Sequence, residues 1–176
     1  MYILLFLLLA IGAFLALLSL REPVLRGHSP KWLRPFYLWI FPPSELYKRT
    51  KLRDVDLSKR ESVEFEFAPK YSGEYEIGVI VDRKIEMPKK TYNFGFSGAI
   101  LVYPVDKKSS SRNIGSNPLP WWDVNSNGFA FATFSVPSDI PLDHATRFVF
   151  RIDTESASFG RDYGRATIYM GKRPEK

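Results

Sequence analysis

The chain has 176 residues, 45% apolar and 15% aromatic, enough for one globular domain plus an appendage. It contains no cysteine, which excludes disulfide frameworks, lipid-bearing cysteines, thiolate metal sites and cysteine nucleophiles. The net charge of +6 is uneven: residues 21–61 carry ten Lys or Arg against five Asp or Glu, a basic stretch that suits anionic lipid, and no arginine-rich run or basic aromatic sheet motif points to nucleic acid.

Residues 2–20, YILLFLLLAIGAFLALLSL, hold neither charge nor proline. Nineteen residues at about 1.5 Å each give roughly 28 Å of helix, close to the thickness of the bilayer hydrocarbon. The run exceeds a signal-peptide core, has no basic leader and lacks an A-x-A before Arg21, so it reads as an uncleaved transmembrane helix. Gly12 and Ala16 form a small-xxx-small pair through which two such helices could approach in a weak homodimer.

Residues 21–53 form a basic, aromatic juxtamembrane segment. Arg21, Arg26 and Arg34 with Trp32, Phe36, Tyr37 and Trp39 are the expected membrane-interface set, because amphipathic aromatics and cations favour the headgroup boundary. The same aromatics could instead pack against the base of the domain, and Pro35, Pro42 and Pro43 forbid a long helix in either case. Orientation divides in the same way. The positive charges following the helix place the domain in the cytoplasm under the positive-inside rule, whereas a cysteine-free β domain rich in Tyr, Ser, Asn and Gly behind an N-terminal anchor is the layout of an envelope protein. The reading taken is a single-pass protein of the bacterial inner membrane with its domain in the periplasm, the cytoplasmic orientation standing as the alternative.

Residues 54–173 read as one all-β domain. VEFEF alternates Val63, Phe65 and Phe67 with Glu64 and Glu66, the pattern of a half-buried strand. GEYEIGVIVD sets Tyr75, Ile77, Val79 and Val81 inward, and APKYSG between the two runs supplies a hairpin turn or a corner between sheets. GAILVYP, GFAFATFSV, TRFVFRID and RATIYMG bring the count to at least six strands. In GFAFATFSV the bulky residues shift from Phe129 and Phe131 to Phe134 and Val136, which predicts a β-bulge near Thr133. The expected architecture is an antiparallel two-sheet β-sandwich, Ig-like or jelly-roll-like. Its long connections, RKIEMPKKTYNFGFS and DKKSSSRNIGSNPLPWW, are where a recognition surface would be built.

The apolar leader followed by VDLSKRESVEFEFAPKYSGEYEIGVIV, TRFVFRIDTES and GRATIYMGK resembles uncharacterised bacterial envelope β-sandwich domains of the lipoprotein and immunity-protein type, over about residues 54–172. The resemblance lies in strand pattern, carries no catalytic residues, and departs from the lipoprotein members in lacking the lipid-bearing cysteine. It implies a domain that binds a protein partner, such as a secreted toxin.

The stretch PWWDVNSNGFAF contains two candidate sites. Asp123, Asn125, Asn127 and Gly128 spell D-x-N-x-N-G, the opening of a calcium loop, but the position of the bidentate glutamate falls on Phe134. A calcium there would need a second carboxylate, from Asp139 or Asp143. The other reading of Asn127-Gly128 is a hairpin turn into the next strand, with Asp123 and Asn125 bonding nearby amides. Trp121 and Trp122 point to opposite sides if extended, so one can plug the sandwich while the other meets a partner. Trp121, Trp122, Asp123 and Asn125 are therefore the expected partner-binding residues, and no cofactor is required beyond an optional calcium on Asp123, Asn125 and Asn127.

No nucleophile elbow or phosphate loop is present. His28, the Asp143-His144 pair, and Asp153, Glu155 and Asp162 among Arg151, Arg161 and Arg165 read as solvated or salt-bridged groups. The expectation is a membrane-anchored binding module without catalysis. A carbohydrate-binding domain using the same tryptophans, with calcium as a structural ion, is the alternative.

Overall fold

A computed structural model describes residues 2–26, 32–40, 43, 45–82, 97–105, 108–114, 127–153 and 164–173. Helix α1 spans Tyr2–Leu25, helix α2 spans Leu33–Ile40, and eight strands follow: β1 Thr50–Asp56, β2 Glu61–Phe67, β3 Gly73–Val81, β4 Gly98–Tyr103, β5 Ser110–Ile114, β6 Gly128–Val136, β7 Thr146–Ile152 and β8 Arg165–Lys172. The strands form two four-stranded sheets, ordered β1-β8-β3-β6 and β2-β7-β4-β5, with every pairing antiparallel.

The pairs β1–β8, β2–β7, β3–β6 and β4–β5 describe a long antiparallel ribbon folded at its middle. Rolling that ribbon adds β8–β3 and β7–β4 and separates the two sheets. This is the strand order of a jelly roll, which decides between the two expected sandwiches. It also decides the role of APKYSG: β2 and β3 lie in different sheets, so this segment is a corner, with Gly73 at φ 118° where a side chain would be strained.

The inward faces form a single core. Tyr75, Ile77, Val79 and Val81 of β3 are all buried, as are Phe148, Phe150 and Ile152 of β7 and Ile168 and Met170 of β8. Phe65 stacks on Phe148 with ring centroids 5.4 Å apart, and Phe134 meets Phe148 edge-on at 5.8 Å. The expected bulge is present: Ile77 faces Ala132 and Gly78 faces Ala130, so Phe131 is the extra residue on β6. It lies two residues before Thr133 and lets both Phe131 and Phe134 reach the core.

Two strands, β1 and β5, were not expected. β1 begins the sandwich at Thr50 rather than residue 54, and β5 runs through the polar stretch otherwise read as a loop tip. Both lie at a sheet edge, where one flank meets solvent and polar residues interrupt the alternation. The apolar helix also continues past residue 20. Arg21 to Leu25 add a turn, closed by a bond from the Arg26 amide to the Glu22 carbonyl at 3.0 Å.

Candidate functional site

The jelly roll gives the sandwich two unlike ends. One end is formed by the connections 68–72, 104–109 and 137–145, together with the start of β1 and the end of β8. The other end takes the connections 57–60, 82–97, 115–127 and 153–164.

The helices dock on the first of these ends. Arg26, just past α1, donates from Nη1 to Asp143 Oδ2 at 2.9 Å, and Lys70 pairs with Glu45 at 3.1 Å. Asp143 itself has φ 59°, and its amide donates to the Pro69 carbonyl, tying the β6–β7 connection to the β2–β3 corner. Val24, Tyr37 and Leu46 are each at most 2% exposed. Among the expected membrane-interface residues, the structure turns Tyr37 inward, half-buries Arg21 and Arg34, engages Arg26 with Glu22 and Asp143, and leaves Trp32 and Phe36 exposed. The Trp39 side chain lies outside the described residues. The segment therefore has one flank packed against the protein and the other open.

Between Glu45 and Thr50 the chain latches onto the outer face of the β1-β8-β3-β6 sheet. Arg49 lies over the Tyr169 ring at 4.8 Å, and its Nε is 3.8 Å from Glu76 Oε1. The Tyr169 hydroxyl donates to the same Glu76 oxygen at 2.9 Å. Gly128 and Gly171 provide the space: a Cβ on Gly128 would come 3.0 Å from the Arg49 guanidinium, and one on Gly171 would press on the Arg49 stem at 3.4 Å. Burial and the Glu76 carboxylate raise the Tyr169 phenol well above its usual range, so Tyr169 is a hydrogen-bond donor at any physiological pH. No sequence pattern singled out Arg49, Glu76 or Tyr169, because their contacts join positions distant in the chain.

This latch also explains Asn127-Gly128 differently from the hairpin reading. β5 and β6 lie in different sheets, so no hairpin joins them. Neither residue has positive φ. Asn127 instead extends the β3–β6 ladder, accepting from the Val81 amide at its carbonyl at 2.8 Å and donating from its side-chain amide to the Val81 carbonyl. Above Gly128 lies the Arg49 guanidinium, which a Cβ there would approach to 3.0 Å.

The second end carries the expected partner site. Trp121, Trp122, Asp123 and Asn125 lie outside the described residues, but Ile114 and Asn127, which bracket them, both sit at this end. The calcium reading loses its supporting carboxylates. Asp139 and Asp143 follow β6, whose nine residues at about 3.4 Å each carry them roughly 30 Å from Asn127. Asp139 is engaged there by the Ser135 amide at 2.9 Å and Arg112 at 3.6 Å.

Also at this end, Asp54, Val55, Asp56, Lys59, Glu61 and Arg165 line an open groove of about 230 Å³. Ser58 donates to Asp56 from its hydroxyl and its amide, holding that carboxyl below the usual range, and Glu61 accepts from the Asp56 amide at 2.7 Å. The groove is a polar, mixed-charge rim rather than an enclosed cleft. Among the described residues no three His, Asp or Glu side chains are grouped to hold a metal. Asp153 is paired with Arg151 at 2.7 Å, as its flanking cations suggested.

The chain matches no protein-family model, no curated protein and no solved structure.

Proposed function

We propose that this protein is a membrane-anchored, non-catalytic binding module of the bacterial envelope that engages a protein partner through the loops at the end of its jelly roll away from the anchor. One observation carries the reading. The helices attach to the end with the shorter connections, while 82–97, 115–127 and 153–164 all spring from the opposite end. Those loops contain Tyr92, Phe94, Phe96, Trp121, Trp122, Phe159 and Tyr163, residue types enriched in the buried centres of protein interfaces. The polar rim of Asp54, Asp56, Lys59, Glu61 and Arg165 sits at the same end, as interface rims commonly do.

Facing the periplasm, such a module is placed to meet proteins entering from outside, and immunity against a secreted toxin is the specific form we propose. Affinity recovery from detergent-solubilised membranes is expected to yield one stoichiometric partner, lost on combined Trp121→Ala, Trp122→Ala and Asp123→Ala change. Recovery that survives this change would refute the choice of loop. Glycan binding abolished by a chelator would favour the carbohydrate alternative instead. Alkaline phosphatase fused at the C-terminus should be active, and an inactive fusion would put the domain in the cytoplasm.

A further inference from the structure

Helix α2 presents an apolar flank that the sandwich does not cover. Trp32, immediately before the helix, is 74% exposed, while Phe36 and Ile40 are 44% and 38% exposed. Their spacing of four residues aligns them on one side. Tyr37, about 100° further round the helix, is 1% exposed, and Phe36 meets its ring edge-on at 6.0 Å. The helix is thus two-sided: one flank is packed within the protein and the other is apolar and open. Pro35 is tolerated because it falls in the first turn, where its missing amide needs no partner.

The depth of this flank follows from α1. The stretch Phe6–Val24 is long and apolar enough to cross a membrane and is almost entirely uncovered by the rest of the chain. Arg21, Glu22 and Arg26 are the first charges along it and mark where the helix leaves hydrocarbon for water. α2 packs against α1. Arg26 is also fastened to Asp143, so the sandwich end is held at the same level.

We propose that the Trp32, Phe36 and Ile40 flank of α2 is a membrane-docking surface, seated in the headgroup boundary of the bilayer that α1 crosses. The occupant is phospholipid because the flank is continuous with the helix that enters the bilayer, its chemistry is that of aromatic interfacial anchors, and the neighbouring Arg21 suits anionic headgroups. The Tyr37 flank and the Arg26–Asp143 pair then clamp the sandwich to an in-plane helix. The domain stands on two membrane contacts, a span and an interfacial helix. This inference rests on α1 crossing the membrane.

The test uses the full chain in phosphatidylcholine–phosphatidylglycerol vesicles, with Trp39, Trp121 and Trp122 changed to Phe so that Trp32 alone emits. The expected result is blue-shifted emission, quenched strongly by lipid brominated near the headgroups and weakly by acrylamide in the water. A chain retained by the vesicles whose Trp32 emits as in water and ignores brominated lipid overturns the docking surface and leaves the anchor standing. A chain stripped from the vesicles by alkaline carbonate overturns both. The absence of cysteine permits a second measurement that does not depend on the tryptophan changes. Phe36→Cys and Ile40→Cys, each carrying a polarity-sensitive thiol probe, should report an apolar environment only when lipid is present. Disulfide cross-linking between copies through Phe36→Cys would mean that a second chain covers the flank, and would overturn the proposal.

Discussion

The two ends of the jelly roll are built from the same eight strands yet differ in the connections they carry. At the anchored end the connections 68–72, 104–109 and 137–145 lie within or largely within the described residues, and the chain is cross-tied by Arg26–Asp143, Lys70–Glu45 and the bond from the Asp143 amide to the Pro69 carbonyl. At the other end the connections 82–97, 115–127 and 153–164 are longer, and their sequences hold seven Phe, Tyr or Trp residues. A strand pairing specifies where a loop begins and returns but not what the loop carries. Both ends are tied by contacts, since at the far end the Leu57 amide donates to the Gly164 carbonyl at 3.2 Å and the Asp153 amide to the Ser97 carbonyl at 2.9 Å; the ends differ in the length of the connections the rolled ribbon leaves there.

The largest expected effect belongs to the core that both ends share. Phe148 is fully buried between Phe65 and Phe134, so Phe148→Ala should cost about 3–5 kcal/mol in denaturant unfolding of the detergent-solubilised chain. Unchanged unfolding would mean that the two sheets do not share one core. The ends separate at the next step down. Trp121→Ala and Trp122→Ala, made singly, should split: the ring that meets the partner costs about 2 kcal/mol of binding or more, roughly 30-fold in Kd, with unfolding unaffected, and the other shifts unfolding. Equal and small effects on both measurements would remove this loop from the binding end.

The latch at Glu76 comes third. Glu76→Ala leaves the Tyr169 hydroxyl and Arg49 without their shared acceptor, at a cost of about 1–3 kcal/mol, and should expose the 45–49 segment to protease before the sandwich opens. Alkaline pH addresses the same sheet more gently. Burial pushes Tyr75 up to about 12 and Tyr169 higher still. Because the folded values lie above the ordinary value near 10, stability should hold below about pH 10 and fall as pH rises from there through the folded values, which combined tyrosinate absorbance and unfolding would follow. The smallest effect is expected at Arg26, which is exposed and only reinforces the anchored end. Arg26→Ala should leave the melting temperature unchanged, and a large drop would show that the helices carry the domain's stability.

Much of the fold was legible in the sequence because burial writes a period into a strand. The inward sets of β2, β3 and β7 and the shift of phase in β6 could all be read from alternation, down to the bulge. The edge strands β1 and β5 could not, since TKLRDVD and SSRNI face water on too many sides to alternate. The proposed partner site was legible only as a choice of loop, and its residues lie outside the described ones. Asn127-Gly128 misled because its local signal is that of a hairpin, whereas Asn127 pairs with Val81, far away in the chain.

By itself the sequence determined what local chemistry can encode: an apolar helix long enough to cross a bilayer, a set of half-buried strands, and aromatic loops between them. Packing settled that β2 and β3 turn a corner, that Asp139 and Asp143 lie a strand's length from Asn127, that Arg49 lies over Tyr169 beside Glu76, and that the helices and the strand ends bearing the longest connections are opposite. The physical reason is that periodicity records which side of a strand is dry. Which strands become neighbours depends on how the ribbon rolls, and that is settled by burying all those dry sides at once.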